Sequence, residues 1–389
     1  MSRRRAIASL AAVAAGSRIF AQADPRPFSG HKRLPGLDEM VSSFDFEPIM
    51  FANVPQRVYD YTAHGDGSEF TLRRNRQAFD WVELVPGKKI DPGRVDLSTT
   101  VLGTSMKFPI VVAPSATQVP LHPDGEIGMY RAATATSNTP MALSQVSSLA
   151  VDKVAPAATG PLWCQFYPQQ DRAAGRRYLE LCQSLGCKAI IVTVDQQASN
   201  YERTLHDVNL GGNPRATFRG RGPAPTEGPG LYRASVNRLW YTWDYLDEIR
   251  KIVTVPLIVK GILTAEDARL CVEHGMDGLI VSNHGGRSMD YGPATLEVLP
   301  EIVAAVGGRI AVITDSGYRH GADILKGLAL GANAVMIGRP TRWALAAFGS
   351  PGVQRLLEIL QRELVDAAAA AGCATLSAID SHVVRSSFP

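Results

Sequence analysis

No stretch of this 389-residue chain approaches the roughly 20 consecutive apolar residues that a membrane-spanning helix needs. Cysteine is scarce. The five present, at 164, 182, 187, 271 and 373, form no CxxC pair and have no histidine-rich run beside them. An odd count argues against a complete disulfide framework, names no metal site and predicts buried free thiols. Excess charge is missing too. The formal net charge is +3, and residues 1–23 alone hold four arginines and no acid. The rest of the chain is close to neutral, so no basic field suits nucleic acid. What remains is the composition of a soluble globular protein, 45% hydrophobic and 20% charged. That is ample for a large core in one large domain or two small ones.

The first 23 residues stand apart. Ser2-Arg-Arg-Arg5 is followed by small and apolar residues from Ala6 to Gly16 and then by Ala21-Gln-Ala23. A basic start, a short apolar run and an A-x-A end make a signal-peptide layout. The paired arginines are similar to a twin-arginine signal, which exports folded proteins. Arg18 interrupts the tail, and an organellar transit peptide or a plain disordered tail fits the same residues. The expected location is periplasmic or otherwise exported, and cytoplasmic or organellar if the leader is not a signal.

Within residues 24–107, the part from 24 to 55 is proline-rich and irregular, with a helix expected around 37–46. A second helix is expected over 56–63, and a short extended stretch runs to Thr100. Residues 24–107 together read as an N-terminal extension packing on the domain that follows. From 108 to 389 short apolar runs alternate with helical patterns. The runs are 109–113, 141–143, 162–166, 189–194, 257–259, 279–281, 310–313 and 334–337. The helices are expected at 124–137, 171–185, 242–252, 264–275, 293–306 and 322–330, with a last long one at 352–371. Continuous apolar strands are the mark of parallel strands buried on both faces. Eight such units predict an α/β fold, a closed (β/α)8 TIM barrel, with a doubly wound open sheet as the alternative. A Gly/Pro-rich segment at 204–236 breaks the rhythm after the fourth strand. It lies within a long loop, 196–240, read as a lid ordered by substrate.

The stretch that organises the rest is Ser282-Asn-His-Gly-Gly-Arg287, at the mouth of the sixth strand. Six polar or glycine residues there are poor packing material, and glycines let backbone approach a ligand. His284 and Arg287 set a base beside an anion clamp, so His284 is expected to remove a proton from a substrate whose carboxylate Arg287 holds. Asp195, ending the fourth strand, is the candidate partner of His284. Lys260 ends an apolar strand, where a bare ammonium is costly. It needs an anion or polar ligand, such as a flavin N1/O2 edge, or an ion pair with a neighbouring strand's acid. Gly317 with Arg319, and Gly338 with Arg339, lie on the last two βα loops, the usual phosphate corner of such a barrel.

These residues, with the motifs VYDY, APSA, LSQ, QFY, TVD, VKG, SNHGGR and D-x-G-x-R-x-G, resemble the FMN-dependent 2-hydroxy-acid-oxidising family. The family includes glycolate oxidase, lactate oxidase, mandelate dehydrogenase and the flavin domain of yeast lactate dehydrogenase. The resemblance runs from about Val58 to Ser381. It implies an FMN cofactor and oxidation of an L-2-hydroxy acid, lactate-like, to the 2-keto acid. By resemblance His284 is the base, Asp195 its partner, and Tyr61 and Arg287 hold the substrate carboxylate. Tyr167 binds the hydroxyl or keto oxygen. Ser144, Gln165, Thr193, Lys260, Ser282 and the stretch Ala113, Pro114, Ser115 and Ala116 surround the flavin ring. Asp315 would hold the ribityl chain, and Gly317, Arg319, Gly338 and Arg339 the phosphate. The electron acceptor would be oxygen or a quinone or cytochrome, and the assembly a homotetramer.

Four positions depart from the family pattern. Its second substrate arginine falls at Glu202, and Arg203 is one later, which implies a one-residue insertion within 196–201. Ser288 follows the SNHGGR motif where glutamine is common. Ser316 replaces the middle glycine of D-G-G. Val146 stands where some relatives carry a pocket tryptophan. Two other functions compete: monooxygenation or oxidation of a larger substrate on the same barrel, and a flavin-binding module without turnover.

Overall fold

The computed structural model describes residues 34–195 and 242–389. The leader at 1–23, the lid at 196–240 and Arg203 lie outside the described residues. Eight parallel strands close into a barrel. They are β1 (Ile110–Ser115), β2 (Met141–Leu143), β3 (Leu162–Phe166), β4 (Ile190–Thr193), β5 (Leu257–Ile262), β6 (Gly278–Val281), β7 (Ala311–Thr314) and β8 (Ala334–Ile337). Closure comes where β8 pairs with β1, Val335 opposite Ile110. The TIM barrel expected from the strand rhythm is present, and the open sheet is excluded.

Strand alternation explains both cores. Val111, Ala113, Ala142, Trp163, Ile191, Ile258, Ile280, Ile313 and Met336 pack together inside the barrel. The residues next to them, among them Val112, Leu143, Cys164, Val192, Val259, Val281, Val312 and Val335, pack outward among the helices. Side chains two apart share a face. The inner row therefore continues, at the C-terminal ends of the strands, into Ser115, Ser144, Gln165, Thr193, Lys260, Ser282, Asp315 and Gly338. The barrel is apolar below and polar at its upper rim, where the sites of such barrels lie.

The lower end is plugged. Thr99–Val101 and Thr104–Met106 form an antiparallel hairpin whose Val101 and Met106 join the inner cluster. Trp163 Nε1 donates to Thr104 Oγ1 at 3.1 Å. The turn needs left-handed backbone at Leu102 (φ 51°) and Gly103 (φ 72°). The extended stretch expected up to Thr100 is thus one arm of a hairpin.

Before the barrel lie α1 (Phe46–Asn53), α2 (Gln56–Ala63) and α3 (Phe70–Gln77). The helix expected around 37–46 is instead two 3-10 turns, Leu37–Glu39 and Ser43–Asp45, leading into α1. A capping box opens the second of these turns, with Ser42 N–H on Asp45 Oδ2 at 2.8 Å. The barrel helices are α4 (Gly125–Ala135), α5 (Arg172–Ser184), α6 (Trp243–Ile252), α7 (Ala265–Glu273), α8 (Thr295–Val306) and α9 (Gly321–Ala329). Between β2 and β3 there is only a turn of helix, Val151–Val154, and a 3-10 turn.

The last helix, α10 (Arg339–Ala371), starts directly after β8, earlier than the expected 352. It breaks at Phe348 and Gly349, where Gly349 has φ 64°. The expected start marks the second half of this broken helix. All five cysteines are free and buried, as expected. Among the described residues no helix is long and apolar enough to cross a membrane.

Candidate active site

The loop after β6 takes an uncommon path. His284, Gly285 and Gly286 have φ of 57°, 69° and 76°, three left-handed residues in succession. A non-glycine residue there is strained and needs outside support. His284 N–H donates to Ser282 Oγ at 3.1 Å, Gly285 N–H to Ser316 Oγ at 3.0 Å and Gly286 N–H to Asn283 Oδ1 at 3.0 Å. Asn283, itself buried, exchanges side-chain bonds of 2.9 and 2.7 Å with Asn75 of α3.

The two glycines also have a use within the protein. A Cβ on Gly285 would lie 2.5 Å from Arg339 Nη1, and one on Gly286 2.6 Å from the Leu72 backbone nitrogen. They admit the protein's own segments, Arg339 and Leu72.

His284 Nδ1 lies 2.7 Å from Asp195 Oδ1. Asp195 Oδ2 takes Lys260 Nζ at 3.4 Å, and Lys260 also reaches Ser282 Oγ at 2.7 Å and Asp315 Oδ2 at 3.5 Å. Gly261 (φ 115°) makes this possible, because a Cβ there would sit 2.5 Å from Asp195 Cβ. Of the two expectations for Lys260, the ion pair with neighbouring acids is present.

Burial pushes the His284 imidazole below its ordinary pKa, aided by Lys260 and Arg287 and opposed by Asp195. Burial alone would raise the Asp195 carboxyl, but His284 and Lys260 outweigh it and hold it below the usual range. Burial likewise disfavours the Lys260 ammonium, and Asp195 and Asp315 more than compensate, so its pKa is raised. An ionised carboxylate can only accept, so it holds the proton on His284 Nδ1 and leaves Nε2 as a base. The His284 side chain is 21% exposed while Asp195 is 3% exposed, which is the disposition of a reacting group and its buried support.

The other predicted carboxylate binders converge on the C-terminal end of α2. Arg287 Cζ lies 4.8 Å from the Tyr61 ring centroid. Its Nη1 donates to the carbonyls of Tyr61 and His64. Arg339 donates to Thr62 O at 2.8 Å, Gly285 O at 2.7 Å and His64 O at 3.0 Å. Helix C-termini leave carbonyls unpaired and favour cations, so these two arginines cap α2 and tie it to the His284 loop. Arg339, expected at a phosphate, thus has its orientation set by main-chain carbonyls.

Tyr167 N–H donates to Gln145 Oε1 at 2.8 Å, just beyond β3. Ser115 Oγ donates to Ala113 O at 3.4 Å at the end of β1. In the corner after β7, Gly317 (φ 94°) must be glycine, because a Cβ would lie 2.4 Å from Asn75 O. Arg319 is buried over Trp343, its Cζ 4.7 Å from a ring centroid. Two residues of the neighbourhood went unread in the sequence. Arg76 of α3 donates to Gly317 O and pairs with Asp323 Oδ2 at 2.8 Å. Arg342 lies buried one turn into α10. Neither has a motif of its own, and nothing short of the fold brings either to the rim.

A sequence profile of the FMN-dependent dehydrogenase family matches residues 51–386. The chain belongs to this family. It is 38% identical to Glycolate oxidase 3 of Arabidopsis thaliana over 360 residues, 90% of this chain and 97% of the relative. It is 37% identical to L-lactate oxidase of Nostoc sp. over 364 residues, 89% of this chain and 98% of the relative. A crystal structure of mandelate oxidase superimposes with a TM-score of 0.79 at 33% identity, covering 90% of this chain and 99% of that one. As a member of the family this chain is an FMN-dependent oxidoreductase acting on CH–OH groups.

The rim fits a flavin. Gln165 Nε2 and Thr193 Oγ1 are buried with no hydrogen-bond partner among the described residues. Buried polar groups are rarely left so, and two on one polar rim fit a ring with polar edges. Ser144, Lys260 and Ser282 stand on the same rim and could contact it.

Proposed function

We propose that this FMN-dependent dehydrogenase family member oxidises a lactate-like L-2-hydroxy acid to the 2-keto acid, with oxygen or a quinone or cytochrome as final acceptor. The observation that carries this reading is the 2.7 Å contact of His284 and Asp195, with a neutral imidazole at the rim beside Arg287 and Tyr61. Bound FMN supplies the two-electron acceptor. Arg287 and Tyr61 hold the substrate carboxylate and so fix which hydrogen faces the rim. Tyr167 hydrogen-bonds the substrate oxygen. His284 Nε2 takes the hydroxyl proton, and Asp195 stabilises the imidazolium that results.

Ser144, Gln165, Thr193, Lys260, Ser282 and the backbone from Ala113 to Ala116 hold the ring. Asp315 holds the ribityl chain. Gly317, Arg319, Gly338 and Arg339 hold the phosphate, on the last two loops. A small substrate is supported by the similarity to L-lactate oxidase. The twin-arginine-like leader supports an exported enzyme, and the family resemblance supports a homotetramer.

Product analysis in air tests the reaction. L-lactate should yield pyruvate, with peroxide or reduced dye in equal amount. Acetate as the direct product would instead make the enzyme a monooxygenase.

A further inference from the structure

Arg342 is 5% exposed. Its Nε donates to Thr62 Oγ1 at 3.0 Å and its Nη1 to Ala116 O, both neutral acceptors. Among the described residues no carboxylate lies within ion-pair distance of it. Glu126 favours its charge only from farther away: Glu126 Oε1 accepts from the N–H of Gln118 at 3.0 Å and of Ser148 at 2.6 Å, and its Oε2, buried without a hydrogen-bond partner among the described residues, lies beyond ion-pair distance of Arg342. A buried cation without an acidic partner is expensive. Burial, and the like charge of Arg287, bring its pKa down to about 10 against the opposing pull of Tyr61 and Glu126.

The placement of this cation is specific. Arg342 Cζ lies 5.5 Å from the Tyr61 ring centroid, on which Arg287 sits at 4.8 Å. Its other anchor, Ala116, closes the β1 wall of the rim. Two guanidinium groups on one tyrosine repel each other unless an anion joins them. A carboxylate has two oxygens and accepts from more than one guanidinium.

We propose that Arg342 is a second guanidinium for the substrate carboxylate, acting with Arg287 beside Tyr61. This rests on the 2-hydroxy-acid reading given above. It places the second cation of the site on α10, whereas the shifted spacing after Asp195 puts the sequence's own candidate, Arg203, one residue out of step.

The test uses full-length holoenzyme and the variants Arg342→Met and Arg342→Lys. Flavin bleaching is followed without oxygen against glycolate, L-lactate, L-mandelate and L-malate, and oxalate is titrated against the oxidised flavin. FMN content and Tm are recorded beside them. Arg342→Met should raise the half-saturating concentration of the best monocarboxylate and the Kd of oxalate each by about tenfold or more, with the limiting rate changed less than about threefold. Arg342→Lys should recover part of the loss, and it is read the same way if Arg342→Met does not fold.

Unchanged half-saturation and oxalate affinity, with loss confined to Tm or FMN retention, would make Arg342 a structural strap between α2 and β1 and overturn the proposal. A loss seen with L-malate alone would also overturn it, because Arg342 would then serve a second carboxylate. Wild-type flavin bleached by none of the four acids would instead overturn the 2-hydroxy-acid reading, and the proposal with it.

Discussion

Asp195 Oδ1 and His284 Nδ1 meet at 2.7 Å although they come from opposite sides of β5. Asp195 follows β4, and His284 follows β6. The strand between them contributes Lys260, which bonds to Asp195 and Ser282, and Gly261, whose missing Cβ leaves room for Asp195. Three adjacent strand ends thus hold one base.

If that carboxylate sets the tautomer, Asp195→Asn should cut the limiting rate of flavin reduction by roughly three to four orders of magnitude. An amide can donate to Nδ1 and leave the proton on Nε2. FMN binding should survive. Rapid anaerobic mixing with substrate measures both, and a rate within about tenfold of wild type would speak against the role.

The pH profile has a definite sign. His284 must be neutral to act, and burial holds its pKa below the ordinary 6.5. The rate of flavin reduction should therefore fall only as pH drops through that lowered value, with the midpoint of the acid limb below 6.5. In Asp195→Asn the limb should move lower still, because Asp195 is the group that raises the His284 pKa. A wild-type midpoint above 6.5 would contradict the assignment.

Thr193 offers a test of the cofactor rim. Its Oγ1 is buried without a partner among the described residues. In apoprotein, Thr193→Val removes a group that gains nothing there, so stability should be unchanged or about 1 kcal/mol higher. The same change should weaken FMN binding by about fivefold to tenfold, because one hydrogen bond to the ring is lost. Thermal unfolding and FMN titration separate the two effects.

Gly286 carries both a left-handed φ of 76° and a contact that leaves no room for a methyl group. Gly286→Ala should cost about 3 kcal/mol or more and displace α3 from the His284 loop. Tm and the rate of flavin reduction should fall together. A variant with wild-type Tm would show that the loop can move without strain.

The barrel was readable because both faces of a parallel strand are buried. Apolar runs such as 189–194 and 334–337 announce themselves whatever packs on them. The rim was readable for a related reason: Lys260 and Asp315 break apolar runs where packing alone would keep them apolar. What the sequence hid were relationships between distant segments. Gly285 and Gly286 read as ligand-approach glycines, and nothing in the sequence shows that Arg339 and Leu72 also need the room a Cβ would take. Arg339 looked like a phosphate ligand alone, and it also caps α2 through Thr62 and His64. Arg342 carried no signal, since a lone arginine outside every motif and before the expected last helix reads as surface until Thr62 and Ala116 are seen to enclose it. The hairpin below the barrel escaped because two three-residue strands have too short a period to register.

The most direct measurement mixes the yellow holoenzyme, without oxygen, with an L-2-hydroxy acid such as L-lactate and compares it with His284→Ala. Wild-type flavin should bleach with saturating kinetics, and His284→Ala should stay yellow with FMN still bound. Bleaching of His284→Ala at the wild-type rate, or a wild-type protein that takes up no FMN, would contradict the account.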